Sequence, residues 1–475
     1  MRSAAPEKNR VGDLAVVLHS HMPYVEGFGT YPFGEEWLFD AVARSYMPVL
    51  DVARDLTFTI TPVLADQLED AGTAERLTSF VRTLRLEAAE TEADAAGPET
   101  REAALAEAER YRRSLATLEE HGGDVLAAFA AAAGERNISL IPSAATHPVL
   151  PLLATDAGRH LQIDAGLRSH RRRFGSSDGF WLPECAYAPG LERTLAEHGI
   201  RYFCVDQTPH EDEMAALAPV ATDAGPVAFT IDWPTVERAW SWTGYPSDPG
   251  CVEFHRKSYH GIRLWSIGGE PYRPRAAEAR AREQAAEFAD AVAERLGRFR
   301  GERRKHGLVV FAIDTELLGH WWNEGPAWLE ELIALAADRG VRMVTLDQAL
   351  ADHEPEERPL AAATWGERKD FSTWDSRAVA DLAWGARRLE LRLLRAIEEN
   401  GITEAAATRA ARELLAVQSS DWAFLDERGQ AGDYAYQRAT DHARAMLEAI
   451  DSGASPDPRM RNLAPDMSLA PLREP

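Results

Sequence analysis

Short apolar runs alternate with helical segments along most of this chain, and that alternation limits the folds open to it. Residues 14–24, 56–65, 137–148 and 307–316 are apolar runs that end in polar or charged residues. Runs of this kind are typical of strands buried on both faces of a parallel sheet. Because helical segments separate them, the sequence predicts an α/β fold with a parallel barrel or an open sheet. Further strands are predicted at 179–184, 200–206 and 341–347.

Two regions depart from this alternation. Residues 76–134 are rich in Ala, Glu and Arg and predict a helical insertion within a barrel domain spanning 11–350. Residues 351–455 have mainly helical patterning and predict a separate α-helical domain packed on the barrel. The last segment, 456–475, is Pro-rich and without periodicity, which predicts a disordered tail.

Charge and cysteine content narrow the partners and the compartment. The 475 residues have a formal net charge of −24 at pH 7, which argues against nucleic acid or an anionic membrane as partner. We find no signal-peptide pattern at the N-terminus and no apolar run of about 18 residues. Cys185, Cys204 and Cys251 form no disulfide framework. We therefore expect a cytoplasmic protein with a neutral substrate, of undetermined oligomeric state.

Polar residues stand at the ends of four predicted strands. His19 and His21 end the first strand, and His147, Glu184 and Asp314 end three later ones. In a parallel barrel the carboxyl ends of the strands meet on one face, where they build the active site. The five side chains are therefore predicted to share one site.

One chemistry open to this set is glycoside cleavage by two carboxylates. A retaining mechanism needs a nucleophile and an acid about 5–5.5 Å apart, and Glu184 and Asp314 offer such a pair. Trp181 and Trp321 stand beside them in sequence and could raise the pKa of the acid by excluding water.

The other chemistry is metal-dependent hydrolysis, since His19-X-His21 at the end of a first strand also begins some amidohydrolases. That interpretation needs further ligands at suitable spacing. The later candidates His210, His255 and His320 form no cluster at strand ends. The sequence therefore predicts neither a metal nor another cofactor.

Six segments, in order along the chain, resemble glycoside hydrolase family 57 and are most similar to its branching type. They are "LHSHMPYVEGFGTYPFGEEWLFDAVARSYMPVL", "PSAATHPVLPLL", "GFWLPECAY", "FAIDTELLGHWWNEGP", "TWGERKDFSTWD" and "SSDWAF". The resemblance implies a distorted, TIM-like (β/α)7 barrel with a helical insertion and a C-terminal α-helical domain that closes the cleft. It also implies a retaining mechanism with Glu184 as nucleophile and Asp314 as general acid/base. The resemblance, together with the positions of the two tryptophans, implies substrate binding by His19, His21, His147, Trp181, Trp240, Trp321, Trp365, Trp374 and Asp421.

The resemblance sets the functional expectation. It implies an α-glucan-active enzyme that cleaves α-1,4 bonds and forms α-1,6 bonds, with an amylase or a 4-α-glucanotransferase as the alternative on the same scaffold. A metal-dependent amidohydrolase and a non-catalytic glycan-binding protein are the alternatives of other classes. Branching enzymes of the family have a long loop with a tyrosine after the fifth strand, whereas residues 206–230 are short and contain no tyrosine. We therefore expect hydrolysis to accompany branching.

Overall fold

The computed structural model describes residues 9–27, 29, 33–209, 212–399, 401–452 and 462–473. Ten strands lie in these described residues, and the remaining elements are arranged around them. The strands are β1 (Gly12–Ser20), β2 (Leu56–Ile60), β3 (Ile138–Ile141), β4 (Gly179–Phe180), β5 (Tyr202–Val205), β6 (Val220–Ala221), β7 (Val227–Thr230), β8 (Gly307–Asp314), β9 (Val341–Met343) and β10 (Glu356–Glu357).

Seven parallel strands close into a barrel. Two sheets contribute to it, with the neighbours β3-β2-β1-β8 in one and β4-β5-β7 in the other. The backbone joins them at both seams: the Trp181 amide donates to the Pro142 carbonyl at 2.8 Å, and the Asp232 amide donates to the Val310 carbonyl at 2.9 Å. This closure confirms the predicted (β/α)7 barrel.

The first strand occupies the centre of the first sheet and is buried along its whole length. One of its edges pairs with β8 from Gly12 to His19. The other edge pairs with β9 over Gly12–Leu14 and with β2 over Val17–Ser20. One edge of β1 is thus shared, with β9 paired to its N-terminal part and β2 to its C-terminal part. This shared edge makes the barrel distorted rather than regular.

Several predicted strands end earlier than the sequence suggests, and two of these early ends fall at or just before prolines. The run 56–65 is a strand only to Ile60, since Pro62 begins a helix at a position where a missing N–H costs nothing. The run 179–184 is a strand only to Phe180, because the chain turns at Pro183 and Glu184. Both early ends leave polar residues on turns at the upper rim of the barrel.

Seventeen α-helices are found in the described residues. They are α1 (Glu35–Ala41), α2 (Met47–Val52), α3 (Pro62–Glu69), α4 (Thr73–Ser79), α5 (Glu87–Ala95), α6 (Arg101–Glu120), α7 (Val125–Glu135), α8 (Asp156–Phe174), α9 (Leu191–Glu197), α10 (Trp233–Ala239), α11 (Pro274–Arg303), α12 (Gly325–Leu335), α13 (Leu346–Asp352), α14 (Ala380–Glu398), α15 (Glu404–Val417), α16 (Ser420–Glu427) and α17 (Tyr434–Ser452).

Helices α4 to α7, which span the insertion predicted at 76–134, are fixed to the barrel by a buried polar network. Arg44, which is 2% exposed, donates to Glu107 at 2.9 Å and to Tyr111 at 2.6 Å on α6. It also donates to Asn323 at 3.1 Å, on the loop after β8. A buried guanidinium satisfied on both sides in this way holds the insertion in one position, because breaking either contact would strand a buried charge.

The C-terminal helices α14, α15 and α17 form a second apolar core against α8. Glu390 of α14 accepts from the Ala154 amide at 3.1 Å and from the Gln418 side-chain amide at 3.0 Å. The disorder predicted for 456–475 is wrong for residues 462–473, because Leu463 and Leu472 are buried in this core. Apolar side chains therefore fix that Pro-rich segment, whose one regular element is the 3₁₀ turn Ala470–Leu472, while 456–461 and 474–475 lie outside the described residues.

Candidate active site

Glu184 lies at the upper rim of the barrel on a turn of unusual backbone conformation. Glu184 has φ of 60° and Cys185 has φ of 48°, both in the left-handed region that non-glycine residues rarely adopt. His147 in the neighbouring turn has φ of 58°. Strained conformations of this kind persist only where the surrounding structure enforces them, and they concentrate at functional sites.

The Glu184 carboxylate is held by two donors from the C-terminal part of the chain. Trp365 donates its indole N–H to Oε2 at 2.9 Å, and Ser420 donates its hydroxyl to Oε1 at 2.8 Å. His147 Nδ1 lies 3.6 Å from Oε1. Burial raises the pKa of Glu184, and the hydrogen bonds from Trp365 and Ser420 partly oppose that rise. The two donors therefore fix the carboxylate in place and favour its charged form.

Helix α16 begins directly at the site. Its first residue, Ser420, bonds both Glu184 and His147 Nδ1, the latter at 3.0 Å, and its next residue, Asp421, accepts from His21 Nε2 at 3.0 Å. Burial alone would lower the pKa of His21, but the Asp421 carboxylate raises it. The helical region therefore completes the site rather than merely covering it.

The three predicted histidines stack on one another. The ring of His147 lies 4.1 Å from that of His21 and 4.9 Å from that of His19, and His19 stacks on Trp181 at 4.7 Å. Burial lowers the pKa values of His19 and His147 well below the ordinary value, and charge on His21 lowers them further. His19 and His147 are therefore neutral at pH 7, so each can both donate and accept hydrogen bonds.

Three buried polar atoms at this stack have no partner among the described residues. They are His19 Nε2, His147 Nε2 and Trp181 Nε1. The opposite nitrogens of the histidines are bound, His19 Nδ1 to the Thr59 hydroxyl at 2.5 Å and His147 Nδ1 to Ser420. Buried polar atoms without partners are costly. Clustered hydroxyl groups of a sugar would satisfy all three.

Asp314 ends β8, next to His19 of β1 in the sheet register. It is the one exposed residue of an otherwise buried strand. The enclosing cleft raises the pKa of Asp314 well above that of an ordinary aspartic acid, and negative charge on Glu316 and Glu184 raises it further. An accessible carboxyl group whose pKa is raised in this way is suited to act as a general acid.

Glu316 is a carboxylate of the site that sequence reasoning missed. It accepts hydrogen bonds from the Tyr46 hydroxyl and, at 3.2 Å, from the His21 amide. Burial raises the pKa of Glu316 to about 7. The signal was present in the sequence as a second acid two residues after Asp314, and a spacing of two places side chains on the same face of a continued strand. Here the strand ends at Asp314 and a single turn, Thr315–Leu317, follows.

The five predicted tryptophans differ in burial and in distance from the two carboxylates: some contact the site, some are buried in the core and some are half-exposed. Trp365 contacts Glu184, and Trp181 is buried beneath the histidines. Trp374 is 3% exposed in an apolar cluster between the barrel and α16, so it offers no free ring face. Trp321, 49% exposed, stacks on Phe254 at 4.4 Å beside the loop after β8. Trp240, also half-exposed, ends α10 and makes no hydrogen bond to either carboxylate of the pair among the described residues.

Of the later candidate histidines, the two that the structure describes, His255 and His320, do not join His19 and His21. His320 lies against Phe254 and Trp321, where burial lowers the pKa of His320 to about 3. His255 is exposed next to Phe254, and His210 lies outside the described residues. Within the described part of the chain no three His, Cys, Asp or Glu side chains are grouped so that they could hold a metal ion.

Comparison with known protein families identifies the family to which this chain belongs. The model of glycosyl hydrolase family 57 matches residues 15–361, and that of the C-terminal region of 1,4-alpha-glucan branching enzymes matches residues 384–464. The chain belongs to glycosyl hydrolase family 57. Both matched ranges contribute to the site, the first through Glu184 and Asp314 and the second through Ser420 and Asp421.

Several family 57 relatives match this chain over most of its length. The 1,4-alpha-glucan branching enzyme of Thermococcus kodakarensis is 33% identical, over 91% of this chain and 72% of its own. A probable 1,4-alpha-glucan branching enzyme of Mycobacterium tuberculosis is also 33% identical, over 92% and 91%.

Solved family 57 structures match the whole fold. The Thermococcus branching enzyme, crystallised with glucose, superposes with a TM-score of 0.90 at 30% identity and covers 97% of this chain and 96% of its own. A branching enzyme of Pyrococcus horikoshii gives 0.87 at 31% identity, over 92% and 90%. The alpha-amylase AmyC of Thermotoga maritima shares the fold with a TM-score of 0.83. No helix in the described residues is long and apolar enough to cross a membrane.

Proposed function

We propose that this protein is a retaining 1,4-α-glucan branching enzyme, with Glu184 as nucleophile and Asp314 as general acid/base. The observation that carries the proposal is the hydrogen bond from Ser420 to Glu184. Ser420 lies in the region that matches the branching-enzyme C-terminal model, and it reaches the carboxylate that the family 57 barrel supplies. The part of the chain that marks the branching type is therefore part of the reacting site.

The arrangement supports a double-displacement reaction. In the first step Asp314 gives its proton to the glycosidic oxygen of an α-1,4 bond while Glu184 attacks the anomeric carbon, so the bond to the leaving chain breaks and a glycosyl–Glu184 ester forms. In the second step the Asp314 carboxylate takes the proton from a 6-hydroxyl of another glucan. That oxygen attacks the same carbon, releases Glu184 and forms the α-1,6 bond.

The stacked histidines serve the substrate in both steps. Neutral His19 and His147 can donate or accept at sugar hydroxyls, and His21 next to Asp421 supplies positive character near the nucleophile. The net charge of −24 suits a neutral glucan. The cytoplasm suits three buried, unpaired cysteines.

Incubation with amylose tests the proposal. We expect new α-1,6 linkages, read by debranching and chain-length analysis or by the anomeric proton signals of the product. Glu184→Gln keeps the shape of the side chain but removes the nucleophile, and Asp314→Asn removes the proton donor. Each should lower turnover by at least about a thousandfold without unfolding the protein.

Glu192→Gln is the matched control, because Glu192 is a neighbouring glutamate that bonds Tyr187 instead of the site. It should retain wild-type turnover. Release of reducing ends without any α-1,6 linkage would make the protein an amylase. Transfer that yields only α-1,4 products would make it a 4-α-glucanotransferase, and activity lost to a chelator and restored by zinc would favour the amidohydrolase alternative.

A further inference from the structure

Two carboxyl groups, Asp314 and Glu316, meet at the carboxyl end of β8, and the proposed reaction uses only one of them. The single turn Thr315–Leu317 brings Glu316 back toward the end of the strand, so that it lies beside His21 and Tyr46. Glu316 is thus placed to act on its neighbour.

We propose that Glu316 is a positioning residue for the acid/base step: its carboxylate, fixed by Tyr46 and His21, holds the proton on Asp314 until a glucan arrives. The inference rests on the proposed function, because it concerns the acid of that reaction. It adds a role for a residue that donates nothing to the substrate.

The contacts of Glu316 leave it little freedom to move. Tyr46, which is fully buried, donates its hydroxyl to Oε1, and the His21 amide donates to the same oxygen. Tyr46 ends the helical segment Val42–Tyr46, which is tied to the turn after β8 because Ser45 donates to the Thr315 carbonyl at 2.7 Å. Two donors on one oxygen therefore hold the Glu316 carboxylate on the turn that directly follows Asp314.

Four charged groups act on Asp314. Glu316, Glu184 and Asp421 are acidic, and each favours a protonated Asp314; His21 is the opposing cation. Of these charges, Glu316 has the largest effect. Two like groups so close release their protons in two separate steps that belong to the pair. Burial raises the pKa of Glu316 to about 7, and negative charge on Glu316 raises the pKa of Asp314.

The chain provides a close control on the same loop. Glu324 is also buried and also accepts from a tyrosine hydroxyl, that of Tyr272, and from a backbone amide, that of Val252 at 3.2 Å. It is not among the main charges that act on Asp314. Glu316→Gln and Glu324→Gln therefore remove the same kind of group in the same kind of setting, and they differ in the neighbour that is affected.

The test follows the protonation of Asp314 directly and through activity. Infrared difference spectra between a protein and its Asp314→Asn counterpart report the protonated carboxyl of Asp314 as a function of pH. The spectra are recorded once with Glu316 present and once with the Glu316→Gln substitution in both proteins. In Glu316→Gln we expect this carboxyl to lose its proton about one pH unit lower. The alkaline limb of the kcat/KM profile on amylose should move to lower pH by the same amount. At pH values above this limb the variant should be about tenfold less active than wild type, and at lower pH it should be nearly as active.

Tyr46→Phe is a second variant that keeps the ring and removes only the hydroxyl. Without that donor Glu316 holds its own proton to higher pH, so the Asp314 limb should shift in the same direction by a smaller amount. Glu324→Gln should leave the limb where it is, and thermal melting verifies that each variant is folded.

Distinct results overturn the inference and the proposed function. An Asp314 carboxyl that titrates at the same pH in wild type and in Glu316→Gln rejects the inference, even if the enzyme branches amylose. A pH-independent loss of several orders of magnitude in Glu316→Gln also rejects it, because Glu316 would then be the acid itself. A wild-type protein that leaves every α-glucan unchanged rejects the proposed function, while the infrared titration still decides the role of Glu316.

Discussion

Glu184 owes its position to its backbone as much as to its hydrogen bonds. A glutamate in the regular continuation of β4 would follow the strand, whereas the left-handed turn at 184–185 lifts its carboxylate toward Trp365 and Ser420. The Trp365 amide also donates to the Glu184 carbonyl at 2.9 Å, so one residue clamps both its backbone and its side chain. The cost of the strained turn, about 1–3 kcal/mol per residue, is offset by such contacts.

The indole of Trp365 should tune the nucleophile. Trp365→Phe removes the N–H that favours the charged carboxylate, so the pKa of Glu184 should rise. Because Glu184 must be ionised to attack, the acid limb of kcat/KM should move to higher pH by about one unit, the equivalent of a hydrogen bond to a charged group. The measurement is the pH profile of amylose turnover.

Trp374→Phe is the comparison for that variant. Trp374 lies further along the same segment, and its indole nitrogen has no partner among the described residues. The acid limb should not move in this variant. Equal shifts in the two variants would contradict the role assigned to the Trp365 hydrogen bond.

At the residue scale the sequence was informative where a side chain ends a strand. His19, His147, Glu184 and Asp314 could be placed together because parallel strands end on one face. Ser420 could not, since a serine at the start of a helix is an ordinary N-terminal residue, and only the packing of α16 against the barrel brings it to Glu184. The raised pKa of Glu316 depends on neighbours distant in the chain, for which no local pattern exists.

The helices differ in how closely they approach the barrel, and α8 comes very close at the seam between β3 and β4. A methyl group on Gly166 would lie 2.1 Å from the Ser143 carbonyl oxygen. Gly166→Ala should therefore push α8 off the seam and lower stability by about 2–4 kcal/mol, visible as a lower melting temperature.

Gly134 provides the counterpart in α7. A methyl group there meets nothing within 4 Å, so Gly134→Ala should leave the melting temperature unchanged or raise it slightly, as alanine favours a helix. If both substitutions had the same effect, close packing at the seam would not be the reason that Gly166 is a glycine.

The connection after β5 is short and contains little regular structure. Residues 206–219 include a single turn at Ala215–Leu217, with 210 and 211 outside the described residues, and the stretch 206–230 has no tyrosine. The almost fully exposed aromatic side chains Trp242 and Tyr259 lie instead on the irregular segment that follows α10.

A short connection after β5 should admit water to the glycosyl–Glu184 ester. We therefore expect free reducing ends to accumulate together with α-1,6 linkages, in a larger ratio than for relatives with a longer loop. The assay compares reducing ends with new branches on amylose. Branching with almost no reducing ends would mean that another segment excludes water.

At the element scale, the positions of the strands were predictable and their lengths were not. The apolar runs located the long barrel strands, since both faces of a parallel strand are buried. Their ends depended on Pro62 and Pro183, where a prolyl ring favours a helix start over a continued strand. The packing of the tail was missed because Leu463 and Leu472 are isolated apolar residues in a polar, Pro-rich segment.

Across the whole molecule, the acidic cleft should make stability depend on pH. The pKa values of Glu184, Asp314 and Glu316 are all raised in the folded protein. The native state then binds more protons than the unfolded chain between about pH 4 and 7, so the free energy of unfolding should fall as pH rises through that window. A carboxyl with a depressed pKa, such as Asp13 at about 2, acts in the opposite sense and only at lower pH.

Glu316→Gln should remove part of this dependence. Relative to wild type, the variant should gain stability at pH 8 over pH 4, on the order of 2 kcal/mol. Thermal or urea unfolding at the two pH values measures the difference, and Glu302→Gln, at an exposed position on α11, should show none. A Glu316→Gln variant that lost stability at pH 8 relative to pH 4 would mean that folding does not raise the pKa of Glu316.

The position of β1 in the sheet has a consequence for the synthesis of the protein on the ribosome. Its full-length neighbour β8 is encoded roughly 290 residues later, and β9, which completes its other edge, later still. At about 5–20 residues per second, a ribosome needs on the order of 15–60 s to supply β8 after β1 has emerged. During that interval one edge of a wholly buried strand of the barrel is open. An open strand edge can pair with another chain, so the nascent protein is most exposed to aggregation through β1 in that interval.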